Sequence, residues 1–154
     1  MNLQRRAWGL VSLSTLLLGG CAWPLLATDT DRPPIVFVHG NGDSAALWQA
    51  TLWRFESNGW PSERLHAIDV PYPLARDADN KDQAGRTSTA EHMAFLRAEV
   101  QAVLSRTGAK QVVLVGNSRG GNAIRNFVCN AGGSAVVSHA ILGGTPNHGV
   151  QAIP

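Results

Sequence analysis

The sequence predicts an α/β fold: a doubly wound, mostly parallel sheet with helices on both faces. Three observations predict it. Ile35-Val36-Phe37-Val38-His39 is an unbroken β-branched and aromatic run, as expected of a strand covered on both faces. Runs of that kind alternate along the chain with stretches of helical period, the order of a parallel sheet wound by helices. Between one such strand and one such helix stands Gly116-Asn117-Ser118-Arg119-Gly120, a G-x-S-x-G turn.

The first element is an address rather than part of the fold. Arg5-Arg6 precede an apolar stretch from Ala7 to Leu18 that ends in Gly19-Gly20-Cys21, the layout of an export signal, whose apolar core runs about 7–15 residues. A transmembrane helix needs roughly 20 apolar residues, so this stretch is too short to be one. Leu18-Gly19-Gly20-Cys21 resembles the lipobox of bacterial lipoproteins, in which the Cys is lipidated, and Arg5-Arg6 resembles, loosely, a twin-arginine signal. The expectation is an exported chain whose contact with membrane is a lipid anchor at Cys21. An ordinary cleaved signal is the plainer alternative.

Composition then bounds the rest. At 154 residues the chain holds one domain at most, and 44% hydrophobic against 16% charged residues excludes intrinsic disorder. Its charge of +2 comes from 13 Lys and Arg against 11 Asp and Glu. Losing residues 1–20 removes Arg5 and Arg6 and leaves cations and acids equal, with no basic cluster, so nucleic acid is not an expected partner. With Cys21 lipidated, Cys129 has no partner and no disulfide framework is available. No metal-ligand spacing is evident, and neither a metal nor another cofactor is expected. Oligomeric state is not legible.

Residues 21–34 contain Pro and no period and read as a tether, with the folded domain expected over 35–154. After the strand at 35–39, Gly40-Asn41-Gly42-Asp43-Ser44 is a turn cluster in which Asp43 or Ser44 can cap a helix. Leu47, Trp48, Leu52 and Phe55 recur at helical spacing up to the stop at Asn58-Gly59, and Leu65 to Val70 reads as a second strand. Residues 71–87 are polar and long for a connection, as in a functional lid or a flexible excursion. Ser88-Thr89-Ala90-Glu91 has capping-box spacing, and Met93, Leu96, Val100 and Leu104 follow on one helix face until Gly108. Gln111 to Val115 is a third strand, Asn122 to Asn130 a helix, and Ala135 to Leu142 a fourth strand.

The strand before and the helix after make the G-x-S-x-G turn informative. Gly116 and Gly120 permit a strained turn, so that Ser118 projects above the sheet at a helix N-terminus, where free N–H groups and the helix dipole favour developing negative charge. Ser118 is therefore the candidate nucleophile.

With Val38-His39-Gly40 after the first strand, the elbow at Ser118, and Leu142-Gly143-Gly144-Thr145-Pro146-Asn147-His148-Gly149 after the fourth, the chain resembles the α/β-hydrolase family, and within it the lipases and esterases. Gly59-Trp60-Pro61 and Thr107-Gly108-Ala109-Lys110 are similar to segments of the small lipases. The resemblance runs from about Pro33 onward. It implies that the strand ending at His39 lies between those ending at Val70 and Val115, a switch point at which ligands bind. It further implies an oxyanion hole made by the backbone N–H of Arg119 and that of Asn41, with Gly42 the alternative and Gly40 a glycine of the same loop. His39 is expected to hold that loop rather than to act as a base. For the Arg119 side chain the expectations are contact with the loop after the first strand, a pair with Asp43, or plain solvation. Trp48, Trp53 and Leu74 are compatible with an acyl chain near the site.

The resemblance implies an ester substrate, an acyl-serine intermediate, and an acid and then a His following the serine. No Asp or Glu follows Glu99, and only His139 and His148 follow Ser118. His139 is expected to be buried in its strand, and His148 to lie on the loop after it without acting as base. The fourth strand would be an uncovered sheet edge, which natural proteins usually protect. The expectation is thus a serine ester hydrolase of which the chain carries the N-terminal portion, its last strands, acid and His lying beyond, and which alone has weak activity or none. The alternatives are a non-catalytic relative that binds apolar ligands or an envelope protein, and an enzyme that passes the acyl group to an acceptor other than water.

Overall fold

The computed structural model describes residues 32–148. The export signal, Cys21 and most of the tether lie outside these residues, as does Gly149. The end of the expected tether is already part of the fold: Pro34 is buried, its carbonyl accepts the Val113 N–H at 2.9 Å, and the Arg32 guanidinium bonds to the Gly59 carbonyl.

Four parallel strands make the sheet, in the order β2 (Leu65–Ile68), β1 (Ile35–Val38), β5 (Val112–Asn117) and β6 (Val137–Gly143). Alternation within the two central strands builds a core on each face. Val36 and Val38 of β1 and Val112 and Leu114 of β5 point to the face covered by α2 (Thr89–Thr107) and α3 (Arg119–Asn130), against Leu96, Val100, Ile124 and Phe127. Ile35, Phe37, Val113 and Val115 point to the other face, which α1 (Gln49–Ser57) covers with Leu52 and Phe55 while Trp48 lies 5.3 Å from the Phe37 ring. Helices on both faces follow from right-handed crossovers that run first to one side of β1 and then to the other.

Local chemistry explains most element boundaries. Both halves of the capping box form at the start of α2: the Glu91 N–H donates to Ser88 Oγ at 3.1 Å, and the Ser88 N–H donates to Glu91 Oε2 at 2.7 Å. The Ser88 N–H bond holds the Glu91 carboxyl below its ordinary pKa. Gly108 ends the helix at φ 66°. The strand ends shift by a few residues from the sequence reading, and two helix starts differ from it. The first helical segment opens with a 3-10 turn over Ala45–Trp48, and its start is held by the Asp69 carboxylate, which accepts the Ala45 N–H at 3.2 Å. Asp43 caps nothing beyond its neighbour Ser44. The helix after the elbow begins at Arg119, because Ser118 itself makes the turn.

The polar stretch 71–87 is an ordered excursion. Its β3 (Leu74–Ala75) pairs in parallel with β4 (Arg86–Thr87), and Arg76 makes ion pairs with Asp82 at 3.0 Å and with Glu91 at 2.8 Å.

Candidate functional site

β1 lies between β2 and β5, as the family resemblance implies, so the loops leaving β1 and β5 rise side by side at the point where the winding reverses. Ser118 sits in the second of these loops with φ 52° and ψ −122°, and it is the only non-glycine residue with positive φ among the described residues. That is the conformation of the first central residue of a type II′ turn, where glycine is the usual occupant. A serine held there costs of order 1–3 kcal/mol and signals a constrained position.

The flanking glycines are required by close approach. A Cβ on Gly116 would meet Ile124 Cδ1 at 2.6 Å and the Gly121 nitrogen at 2.8 Å, and one on Gly120 would run into the carbonyls of Val38 and His39. A Cβ on Gly40 would lie 3.0 Å from Ser118 Cβ, so the loop after β1 passes directly beside the serine. Gly143-Gly144-Thr145-Pro146 completes the surround: the Ser118 N–H donates to Gly143 O at 2.9 Å, and Thr145 lies against Gly121.

Two backbone amides of the β1 loop were candidates for a second donor beside that of Arg119, and the hydrogen bonding separates them. The Gly42 N–H already donates to Pro73 O at 3.2 Å. The Asn41 N–H has no acceptor among the described residues, while the Asn41 side chain accepts the Ala75 N–H through Oδ1 at 2.6 Å. Asn41, Ser118 and Arg119 line one cavity of about 470 Å³. His39 is fully buried beneath the loop. Its Nε2 accepts the Val70 N–H at 3.1 Å, so the ring proton sits on Nδ1, which donates to Gly40 O at 2.9 Å. Asp69 Oδ1, at 3.7 Å from Nε2, is therefore not an ion-pair partner.

The Arg119 side chain does not pair with Asp43. Its guanidinium reaches back over the excursion: Nη1 donates to Pro73 O at 3.1 Å and Thr87 Oγ1 at 2.9 Å, and Nη2 to Thr87 O at 2.7 Å and Ser88 O at 3.2 Å. All four acceptors are neutral. Burial lowers the Arg119 pKa from its ordinary value, with Asp79 acting in the opposite sense.

The side chains that line the cavity are not the apolar ones named from the sequence. Arg76, Thr89, His92 and Asn122 line it, and none of Trp48, Trp53 and Leu74 does. Trp48 is committed to the core under α1, Trp53 is exposed on that helix, and Leu74 lies over Gly42 at the loop rim. His92 escaped the sequence reading. Placed four residues before Leu96, it shares the buried face of α2 with Leu96, Val100 and Val103, and that spacing was the available signal. Its Nε2 is buried without a hydrogen-bond partner, and desolvation, then Arg119 and His39, depress its pKa to about 4. His139 is exposed rather than buried, because β6 is the outermost strand among the described residues; His148 is exposed on the loop beyond.

Chemically, the arrangement offers a hydroxyl at a helix N-terminus with the amides of Asn41 and Arg119, neither with an acceptor among the described residues, on the same cavity, suited to a carbonyl oxygen that gains negative charge. Among the described residues, no group of three His, Cys, Asp or Glu stands close enough to hold a metal ion.

Comparison with known proteins agrees with this geometry. The sequence pattern described as Lipase (class 2) matches residues 32–153. A non-heme haloperoxidase of Rhodococcus erythropolis is 27% identical over 119 residues, which cover 77% of this chain and 39% of that protein. The mature form of the Bacillus licheniformis lipase BlEst2 superposes with a TM-score of 0.57 at 28% identity, over 78% of this chain and 43% of that one. The esterase RhEst1 of Rhodococcus sp. ECU1013 shares the fold, with a TM-score of 0.51 at 23% identity, over 75% of this chain and 38% of that one. The chain thus spans less than half the length of these relatives.

Proposed function

The chain belongs to the class 2 lipase family, with the fold of the α/β-hydrolases, and on that premise we propose that it is the nucleophile-bearing part of an exported serine ester hydrolase. Ser118 Oγ attacks the ester carbonyl carbon, and the oxygen that becomes an oxyanion is held by the N–H groups of Asn41 and Arg119. The alcohol departs, leaving an acyl-Ser118 that water releases as the acid. The observation that carries this reading is the strained Ser118 backbone, φ 52° and ψ −122°, between β5 and α3 and beside the loop after β1. The engagement of the Gly42 N–H with Pro73 favours Asn41 as the loop's donor, and losing one such donor costs about 10²–10³ in rate.

Residues 119–154 contain no carboxylate, so they do not supply the acid of a Ser, acid, His order. His39 does not fill the role of base, since both its nitrogens are engaged beneath the loop.

The test is made on the full-length protein. A fluorophosphonate probe is expected to label Ser118, and Ser118→Ala is expected to abolish both labelling and turnover of p-nitrophenyl butyrate. Labelling elsewhere, or undiminished turnover in the variant, refutes the assignment. The proposed anchor has its own test: incorporation of a fatty-acid analogue in vivo that is lost in Cys21→Ser.

A further inference from the structure

The side chain of Arg119 joins two parts of the site that the mechanism above treats separately. At Pro73 O, its Nη1 and the Gly42 N–H converge on one carbonyl, at 3.1 and 3.2 Å. Two residues on, the Ala75 N–H is bonded to Asn41 Oδ1 at 2.6 Å. The loop after β1 is therefore fastened at two successive residues, Asn41 to Ala75 of β3 and Gly42 to Pro73 just before that strand, and Pro73 is in turn fastened to the elbow by Arg119. The same guanidinium holds β4 through Thr87 Oγ1 and O and reaches the start of α2 through Ser88 O. A planar fork can hold the entry to one strand, a second strand and a helix start at once, which a single ammonium cannot.

We propose that the Arg119 side chain is a positioning residue for the oxyanion hole: it clamps Pro73, at the entry to β3, in the place that fixes the Asn41 amide relative to Ser118. This inference rests on the reading of Ser118 as nucleophile. One residue then contributes a donor through its own N–H and aligns the other through its side chain. The coupling matters because an oxyanion donor works only within about 2.7–3.1 Å of the developing charge, and a misplacement of about 1 Å is costly, about 10²-fold in rate. The excursion keeps its own supports without Arg119. Arg76 pairs with Asp82 and Glu91, Arg86 Nη1 donates to Asp77 Oδ1 at 3.0 Å, and the Thr89 N–H donates to Asp79 Oδ1 at 2.6 Å. Removing the guanidinium is thus expected to loosen the Pro73 end rather than unfold the segment.

The experiment uses the full-length protein and p-nitrophenyl butyrate, with reactive Ser118 counted by end-point fluorophosphonate titration so that misfolded molecules do not enter kcat. Arg119→Met, which leaves the backbone donor in place, is expected to lower kcat per titrated site by about 10- to 100-fold while KM changes less than about threefold. Arg119→Lys, with one point of donation, is expected to fall between. In an Asn41→Ala background, where the link to Ala75 is cut and that of Gly42 to Pro73 remains, the further effect of Arg119→Met is expected to be smaller than in the parent. A kcat within twofold of the parent in both Arg119 variants, or full additivity with Asn41→Ala, overturns the positioning role. Failure of the probe to label Ser118 in the unmodified protein instead overturns the nucleophile reading on which it rests.

Discussion

Ser118 and His92 are the two residues at which this fold accepts a local cost, and each yields a measurable consequence. A non-glycine residue at φ 52°, ψ −122° is strained by an amount that glycine avoids. Ser118→Gly is therefore expected to be more stable to urea than Ser118→Ala by about 1 kcal/mol, although glycine elsewhere is the less stable of the two. Equal stability, or the opposite order, would show that the elbow is relaxed. His92 is nearly fully buried, with the Arg119 guanidinium and His39 as the charged and titratable groups acting on it, and its pKa falls from 6.5 to about 4 on folding. Between those two pH values the unfolded chain carries the extra proton. Stability is thus whole above about 6.5 and falls as the pH drops toward 4, by up to about 3 kcal/mol. Urea midpoints at pH 7 and 4.5 check this, and His92→Gln is expected to flatten the difference; an unchanged pH slope in that variant removes His92 as its cause.

At the scale of elements, α2 shows how closely a local signature and a structure can agree. Ser88 and Glu91 exchange both bonds of the capping box, and Ser88→Ala is expected to destabilise the protein by about 1 kcal/mol in urea melts. The Arg119 bond is to the Ser88 carbonyl and survives that change, so kcat per titrated site is expected to stay unaltered. Strands β1 and β5 were equally legible, since unbroken apolar runs have one reading in a sheet covered on both faces. The excursion over 71–87 was legible only as unusual length. Its two-residue strands carry no period to detect, and part of its order comes from Arg119 and Glu91, which follow it in the chain. The polar side chains that line the cavity were missed for a related reason. Trp48 and Leu74 stand near the loops in sequence, but α1 and the loop rim take them elsewhere.

For the whole molecule, the strand order places β6 at the border of the sheet, with its outer backbone edge unpaired among the described residues and Ile141 57% exposed. Such an edge is a template for pairing with another chain. Residues 21–154 prepared on their own are expected to sediment as oligomers at about 100 μM, and Ile141→Lys is expected to shift them toward monomer. A monomer of the unsubstituted segment at that concentration contradicts this. The order also reverses at β1, which brings Gly40 and Ser118, 78 residues apart in sequence, into contact.

The sequence by itself determined the alternation of strands and helices, the caps, the glycines that a G-x-S-x-G elbow needs, and the absence of any carboxylate after Glu99. These follow from residues within a few positions of one another, where period and turn chemistry act. Only the tertiary structure engaged the Gly42 N–H with Pro73, placed polar groups around Ser118, and bonded the Arg119 side chain, expected over the β1 loop, paired with Asp43 or solvated, to Pro73, Thr87 and Ser88. Those outcomes depend on pairings such as that of Arg119 with Pro73, 46 residues apart, which the winding of the sheet brings together and no local pattern encodes.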